Sequence, residues 1–206
     1  MTSTLNSNLD HYFTIEAPAI AEFKDRGSKF LAYCFPIKKA EDFKTHLQLL
    51  KKEHPKANHH CFAYRLGTDG NQFRSSDDGE PSGTAGKPIL GQIDAKNLTD
   101  VMIVVVRYFG GSLLGVPGLI NAYKTSASQV LQCIPSIQKT IEISYELHFN
   151  YTEMNEVMRI IKQYNCTVNK NEMQLFCVMQ IGIPKKELRE VLTFFEDIKG
   201  SEIKKV

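Results

Sequence analysis

The spacing of apolar residues along the chain predicts an α+β protein. Residues 60–66 alternate between two faces as a strand does, whereas residues 40–54 carry apolar side chains three to four positions apart, which is typical of an amphipathic helix. Residues 101–106 are six consecutive apolar residues, four of them valine. So short an apolar run predicts a central strand that is buried on both faces. A second amphipathic helix is predicted to begin near Pro117 and to end at Pro135.

After residue 135 glycine becomes rare and the pattern becomes regular. The predicted order is strand, helix, strand, strand, helix and strand, over residues 140–149, 152–164, 166–168, 174–183, 184 onward and 203–206. The run Asn169-Lys170-Asn171 predicts the hairpin turn between the two middle strands. This order is the ferredoxin-like β-α-β-β-α-β pattern. We therefore expect two domains, residues 1–138 and residues 139–206.

Charge does not mark either half of the chain as a strong nucleic-acid binder. The net charge is +2, with 15 Lys and Arg against 13 Asp and Glu before Gln138, and 10 against 10 after it. Any RNA contact must therefore come from local clustering of basic residues.

The cysteine pattern and the hydropathy place the protein in a reducing, aqueous compartment. The five cysteines are odd in number and form no C-x-x-C pair, so we expect reduced, buried thiols rather than a disulfide framework or a zinc cluster. The first eight residues lack the basic and apolar regions of a signal peptide. The longest aliphatic run is far shorter than the ~20 residues of a membrane helix. A cytoplasmic protein with no membrane contact and no cofactor is expected.

Two glycine-rich runs, residues 77–88 and 107–118, hold seven of the 13 glycines. Dense glycine beside charged and aromatic residues indicates a shaped surface rather than a core. The first run is predicted to lead into a short helix over residues 85–95, capped by Ser82 or Thr84. Neither run has the spacing of a phosphate-binding P-loop or of a dinucleotide-binding fingerprint. Contact with the phosphates of a polynucleotide remains open.

The second run follows the predicted central strand and supplies the main candidates for RNA contact. Arg107 could clamp a phosphate bidentately, while Tyr108 and Phe109 could stack on bases. Equally, one aromatic ring could lie in the core and Arg107 could pair with Asp77 or Asp78. The full set of RNA-binding candidates is Arg65, Arg74, Lys87, Arg107, Tyr108, Phe109, Gly110, Gly111 and Lys124.

Three acidic residues, Asp77, Asp78 and Glu80, are weak candidates for a metal site. Carboxylates within four residues could hold a cation such as magnesium, but Asp-Asp-Gly-Glu is also good turn chemistry. No serine lies in a G-x-S-x-G elbow. The adjacent His59 and His60 point to opposite faces of a strand and cannot bind one metal together. The sequence therefore shows no catalytic pair.

The two runs together resemble the IMPACT/YigZ family. The resemblance rests on His60-Cys61-Phe62-Ala63-Tyr64-Arg65, on Asp77-Asp78-Gly79-Glu80-Pro81, and on a signature in residues 86–115 that comprises Gly86, Ile89, Leu90, Ile93, Leu98, Val104, Val105, Arg107, Tyr108, Phe109, Gly110, Gly111, Leu114 and Gly115. It covers the whole chain, since bacterial members carry a second small domain. Pro117 and Asn121 stand where many relatives have glycine and arginine, which stiffens the helix start and removes a positive charge.

The resemblance implies a fold and a role. The N-terminal domain is expected to have the ribosomal-protein-S5-domain-2-like fold, and the C-terminal domain to be ferredoxin-like, similar to the last domain of elongation factor G. Eukaryotic relatives regulate translation by binding a partner that controls a starvation-sensing kinase. They carry a different accessory domain, so that partner does not transfer to this chain. For bacterial members the implied function is binding to nucleic acid or the ribosome.

Three functions are therefore open at the level of sequence. The first is a non-enzymatic, translation-associated regulator that binds structured RNA or the ribosome through the glycine-rich surface. The second is a metal-dependent phosphohydrolase or nuclease that uses Asp77, Asp78 and Glu80. The third is an interaction module for a protein translation factor. We favour binding over catalysis because no nucleophile and base can be paired.

Overall fold

The computed structural model describes residues 10–206, which divide into two compact units. Unit 1 comprises residues 12–139, and unit 2 comprises residues 140–206 together with residues 10 and 11. Residues 1–9, on which the expectation about a signal peptide rests, lie outside the described part. None of the helices in residues 10–206 combines the length and the apolar character that a membrane-spanning helix needs.

Unit 1 is a five-stranded antiparallel sheet with helices on both faces. Its strands are ordered β2-β3-β6-β4-β5, and β1 pairs separately with β7. The elements are β1 (His11–Thr14), β2 (Ala19–Asp25), β3 (Ser28–Pro36), α1 (Ala40–Glu53), β4 (His59–Leu66), β5 (Gln72–Ser76), α2 (Gly86–Ala95), β6 (Val101–Tyr108), α3 (Gly115–Val130) and β7 (Ile137–Thr140).

The central position of β6 follows from its apolar run. Val101, Ile103 and Val105 pack in one cluster with residues of α2 and α3, while Met102 and Val104 pack in another with residues of α1. All six residues of the run are fully buried. The predicted central strand is therefore confirmed, because only a strand covered on both faces can bury every successive side chain.

Unit 2 has the order of elements that the sequence pattern predicts. It consists of β8 (Glu142–Asn150), α4 (Met154–Gln163), β9 (Thr167–Glu172), β10 (Phe176–Pro184), α5 (Leu188–Asp197) and β11 (Glu202–Lys205). The sheet order is β11-β8-β10-β9, with every neighbouring pair antiparallel. Side chains such as Val157, Ile160 and Phe195 bury the helices against the sheet in a core of their own.

The predicted hairpin turn of unit 2 is wrong. Asn169, Lys170 and Asn171 lie inside β9, and the chain turns at residues 173–175 instead. Turn propensity was overridden by pairing with β10, where Lys170 lies opposite Gln180 and Asn171 opposite Met179. The two asparagines therefore belong to an edge strand.

The expectation that all cysteines are buried needs one correction. All five are free, and Cys34, Cys61, Cys166 and Cys177 are buried, but Cys133 is exposed. It lies in the turn that follows α3, which ends at Val130. Burial raises the pKa of the Cys34 thiol to about 12 and that of the Cys166 thiol to about 11. These thiols are therefore protonated at neutral pH.

Candidate signature edge

The topology of unit 1 brings both glycine-rich runs to one edge of the sheet. Because β6 and β5 are each antiparallel to β4, they run in the same direction and end at the same edge. The β2–β3 turn and the start of β4 lie at that edge too, since Lys29 pairs with Tyr108 and His59 with Arg107. We call this region the signature edge and define it as residues 26–28, 58–59, 77–83 and 107–114.

Asp77 caps the N-terminus of α2. Its Oδ1 accepts hydrogen bonds from the backbone N–H groups of Ala85 (3.0 Å) and Gly86 (2.8 Å), and its Oδ2 accepts one from Gly83 (2.8 Å). Neither Ser82 nor Thr84 makes the predicted cap, and the Thr84 hydroxyl instead donates to the carbonyl of Pro81. The anion site that a helix N-terminus offers is thus filled by the protein's own carboxylate.

These contacts change the acidity of Asp77. Partial burial acts to raise its pKa, but hydrogen bonds from the N–H groups of Gly83, Gly86 and Ala85 together outweigh burial. The net result is a pKa below the ordinary value of an aspartate. Asp77 is therefore held as a carboxylate.

Asp78 connects the first glycine-rich run to α1 and β4. It has a φ of 42°, its Oδ2 accepts the backbone N–H of His60 at 2.7 Å, and its Oδ1 lies 3.2 Å from Nζ of Lys51. Its carbonyl oxygen accepts a hydrogen bond from Nδ1 of His59 at 2.9 Å. Both carboxylate oxygens and the carbonyl therefore have partners within the fold.

Glu80 and Arg107 form a buried ion pair. Nη1 of Arg107 lies 2.6 Å from Oε1 of Glu80, and the Tyr123 hydroxyl donates to the same oxygen at 2.7 Å. Arg107 is only 5% exposed, and its guanidinium carbon lies 5.4 Å from the ring centre of Phe30 and 5.6 Å from that of Phe109. Arg107 therefore pairs with neither Asp77 nor Asp78, which corrects that expectation, and its guanidinium is buried rather than exposed at the surface.

The two aromatic residues after Arg107 have different environments. The Tyr108 hydroxyl lies 2.9 Å from Nδ1 of His54, on the face that α1 covers. Phe109 is 44% exposed, and its backbone N–H donates to Oδ1 of Asn58 at 2.8 Å. Phe109 is therefore the aromatic side chain that the signature edge presents to solvent.

Gly110 is required by a close approach of two backbone segments. A Cβ atom at this position would lie 1.9 Å from the carbonyl carbon of Gly27, so no larger residue fits without movement of the turn. The Gly110 N–H donates to Oγ of Ser28 at 3.1 Å. Gly111 has a φ of 86°, in the region that glycine adopts most easily. The second glycine-rich run is thus locked against the β2–β3 turn.

The remaining basic candidates do not share one surface. Arg65 pairs with Val101, at the opposite end of the sheet, and its Nη2 lies 2.7 Å from Oδ1 of Asp94. Arg74 lies on the edge strand β5, with its guanidinium 5.5 Å from the ring of Phe43. Lys87 is exposed in the first turn of α2, and Lys124 is exposed in the middle of α3. Of these four, only Lys87 lies beside the signature edge.

Two exposed basic residues, Arg26 and Lys56, are not among the candidates that the sequence predicts. Arg26 occupies the β2–β3 turn with a φ of 44°, next to the Gly27 that contacts Gly110. Lys56 precedes Asn58, whose side chain binds the second glycine-rich run. No local signal in the sequence shows that the β2–β3 turn lies beside the second glycine-rich run, so neither residue could be placed at the edge.

The three acidic candidates do not converge on a metal site. Asp77 points to backbone N–H groups, Asp78 to His60 and Lys51, and Glu80 into the core. Among residues 10–206, no group of three or more His, Cys, Asp or Glu side chains is placed to hold a metal ion. The three carboxylates therefore do not form the magnesium site for which the sequence made them weak candidates.

Other polar groups near the edge are buried and inert. The Cys61 thiol donates to the carbonyl of Asp77 (3.0 Å) and lies 3.3 Å from the Tyr123 hydroxyl. Burial raises the pKa of Cys61, and burial with the neighbouring thiol raises the pKa of Tyr123. A thiol and a phenol that stay protonated serve packing rather than nucleophilic catalysis.

Together, the fold and the signature edge define a class: a two-unit α+β protein whose first unit carries an edge built from internally paired acids and close-packed glycines. The family model of the Impact N-terminal domain matches residues 26–131. An IMPACT family member of Haemophilus influenzae is 34% identical over 179 residues, covering 86% of this chain and 87% of that protein. YigZ of Escherichia coli, also an IMPACT family member, is 32% identical over 176 residues, covering 84% and 86%. The chain therefore belongs to the IMPACT family.

One solved structure is similar to the chain over nearly its whole length. A crystal structure described as that of a hypothetical protein has a TM-score of 0.75 and 29% identity, and covers 96% of this chain and 98% of its own. Yih1, described as a two-domain translational regulator, is 27% identical with a TM-score of 0.36, covering 65% of this chain and 52% of its own. The first match extends the similarity across both units.

Proposed function

We propose that this protein is a non-enzymatic, translation-associated regulator that binds structured RNA, including ribosomal RNA, through the signature edge. The role in translation is what the family resemblance implies. We also propose that unit 1 has the S5-domain-2-like fold and unit 2 the ferredoxin-like fold. The strand order β11-β8-β10-β9, with two helices packed against the sheet, supports the ferredoxin-like fold of unit 2.

The observation that carries the RNA proposal is the distribution of charge at the signature edge. Its acids are engaged within the fold, Asp77 by three backbone N–H groups and Glu80 by Arg107. The exposed cations at or beside the edge include Arg26, Lys56 and Lys87. Such cations attract the phosphates of a nucleic acid.

Two further features support contact with RNA. Phe109 is 44% exposed beside the exposed Gly110 and Gly111, so a base can stack on the ring and the backbone can approach closely. Unit 1 carries 16 Lys and Arg against 12 Asp and Glu, whereas residues 140–206 carry 9 against 10. The positive charge is therefore concentrated in the unit that contains the signature edge.

The binding experiment compares two lysines at opposite ends of α2. Purified bacterial ribosomes and a mixture of transfer RNAs are titrated with the full chain at about 50 and 200 mM salt, a range over which phosphate contacts weaken strongly. We expect Lys87→Gln to weaken binding and to reduce the salt dependence by about one released ion. Lys96→Gln, at the exposed C-terminal end of the same helix, is the matched control and should change neither. Absence of binding at the lower salt concentration would end the proposal.

A second candidate function is an interaction module for a protein translation factor. A specific observation favours it: Leu113, Val116 and Ile120 are 84%, 52% and 38% exposed at the start of α3. Exposed apolar residues in such a group are typical of contacts with proteins rather than with RNA. Capture of a translation factor that survives ribonuclease treatment and is lost in Leu113→Ser would favour this candidate over the first.

A further inference from the structure

The strand β9 of unit 2 is an edge strand with an unusual degree of exposure. It occupies the end of the sheet, so only β10 pairs with it among the described residues, and all six of its residues are exposed. An edge strand presents backbone N–H and C=O groups on its free side, which can pair with another strand. The outer side of β9 is thus open for pairing.

A group of exposed apolar side chains lies directly beside this edge. Met173, Leu175 and Phe176 follow β9 and are 58%, 78% and 70% exposed. Tyr151, which is 58% exposed, is tied to the same turn because its backbone N–H donates to the carbonyl of Leu175 at 3.3 Å. Contiguous exposed apolar residues of this size usually mark an interaction surface.

The charges of β9 determine which strand can pair with it. Lys170 and Glu172 lie on the same face, opposite Gln180 and Val178 of β10, and their side chains form an ion pair of 2.5 Å. In an antiparallel pair of two identical strands related by a two-fold axis, one residue lies opposite its own copy. A register centred on Asn171 places Lys170 of each copy opposite Glu172 of the other copy, so the pair of strands contains two such contacts.

The neighbouring registers are unfavourable. Centring on Lys170 would oppose two lysines, and centring on Glu172 would oppose two glutamates, each a like-charge contact. The pairing between β9 and β10 shifts register between Val168 and Lys170. The part of β9 with regular pairing is therefore the part around Asn171. Charge and regularity therefore select the same register.

We propose that a second copy of this chain pairs with β9 across a two-fold axis at Asn171, forming one continuous sheet from two copies of unit 2. In this register Leu175 of one copy lies opposite Thr167 of the other, so the apolar turn flanks the new strand pair. Two Lys170–Glu172 contacts then join the copies, in place of the contact within each copy.

Sedimentation velocity of the full chain over a range of about 1 µM to 1 mM tests the proposal. We expect reversible dimerisation that Lys170→Glu and Glu172→Lys each weaken at least tenfold, roughly the cost of opposing like charges. The double variant K170E/E172K restores complementary charges and should dimerise like the natural chain. Lys199→Glu, an exposed lysine outside β9, is the matched control. Circular dichroism verifies that each variant is folded.

Cysteine cross-linking tests the register itself. In a Cys133→Ser background, which removes the exposed thiol, Asn171→Cys should form a disulfide-linked dimer under mild oxidation, since residues on the axis approach within disulfide range. Asn169→Cys should not. A chain that stays monomeric at every concentration, single variants that dimerise normally, a charge swap without recovery, or equal cross-linking at positions 169 and 171 would each overturn the proposal.

Discussion

At the scale of single residues, Arg107 lies buried at the end of β6, under the signature edge. Arginine after a buried strand is a reasonable phosphate ligand, but here its side chain is buried against Glu80 and Tyr123. Breaking a buried ion pair leaves one charge without a partner, and the cost of that charge far exceeds the net stabilisation from the intact pair. Arg107 therefore stabilises the signature edge through its buried contact with Glu80.

Glu80→Ala is expected to destabilise unit 1 by about 3–5 kcal/mol, because it leaves the Arg107 guanidinium buried and unpaired. Urea unfolding with a spectroscopic probe in unit 1 measures the change. Lys24→Ala, which removes a solvent-exposed ion pair with Glu22, is the control and should leave the free energy of unfolding nearly unchanged. Equal effects of the two variants would contradict the structural role of Glu80.

Asp77 should make stability depend on pH. Its pKa is lowered in the folded chain, so its contribution is complete above the unfolded value of about 4 and is lost as pH falls through the folded value. Asp77→Asn should reduce the loss of stability on acidification, and Asp77→Ala should cost about 1–2 kcal/mol at neutral pH through loss of the helix cap. Urea unfolding at a series of pH values measures both effects. Asp197→Asn, an exposed aspartate of unit 2, should leave the profile unchanged.

At the scale of elements, the glycine-rich runs join a strand, a turn and two helices into one edge. The first run begins with Asp77, which caps α2, and the second fits against the β2–β3 turn at Gly27. Glycine is needed at Gly110 because two backbones touch, whereas Gly91 lies inside α2 with nothing within 4 Å of the position a Cβ would occupy. Glycine is therefore required at position 110, whereas at position 91 it only lowers the stability of the helix.

Gly110→Ala should destabilise the protein by about 1–3 kcal/mol or more, because the added methyl group overlaps the turn. Gly91→Ala should instead stabilise it by about 1 kcal/mol, since alanine is the better helix former and the site is open. Thermal unfolding of the two variants provides the comparison. A loss of stability in both would mean that α2 does not tolerate a side chain at position 91.

At the scale of the whole molecule, the chain contains separate hydrophobic cores. Two clusters bury the two faces of the unit 1 sheet, and a third lies in unit 2. Proteins with several cores often fail to unfold in one step. We therefore expect the two units to unfold as distinguishable transitions.

Hydrogen exchange followed by mass spectrometry in rising urea can separate the two transitions. Phe195→Ala, in the core of unit 2, should lower the protection of residues 142–205 by about 3–5 kcal/mol. The protection of β6 in unit 1 should be unchanged. Loss of protection in both units together would show that they fold as one cooperative body.

The sequence by itself determined the elements whose side chains repeat regularly. The strand from Val101, the amphipathic α1 and the alternation of unit 2 could all be predicted, because burial of one or two faces leaves a period in the chain. The family was identifiable for a related reason, since its glycines and charged residues stand at fixed spacings. Hydrophobic periodicity and motif spacing both involve residues that are close in sequence, so both can be recognised without the structure.

Only the tertiary structure decided the partners of each polar group. It places Asp77 against the N–H groups of α2, Glu80 against Arg107, and Arg26 beside the second glycine-rich run. It also places Asn169 and Asn171 in a strand rather than a turn. Each of these outcomes depends on segments that are distant in sequence, and a side chain carries no local signal of which distant donor or acceptor it will meet.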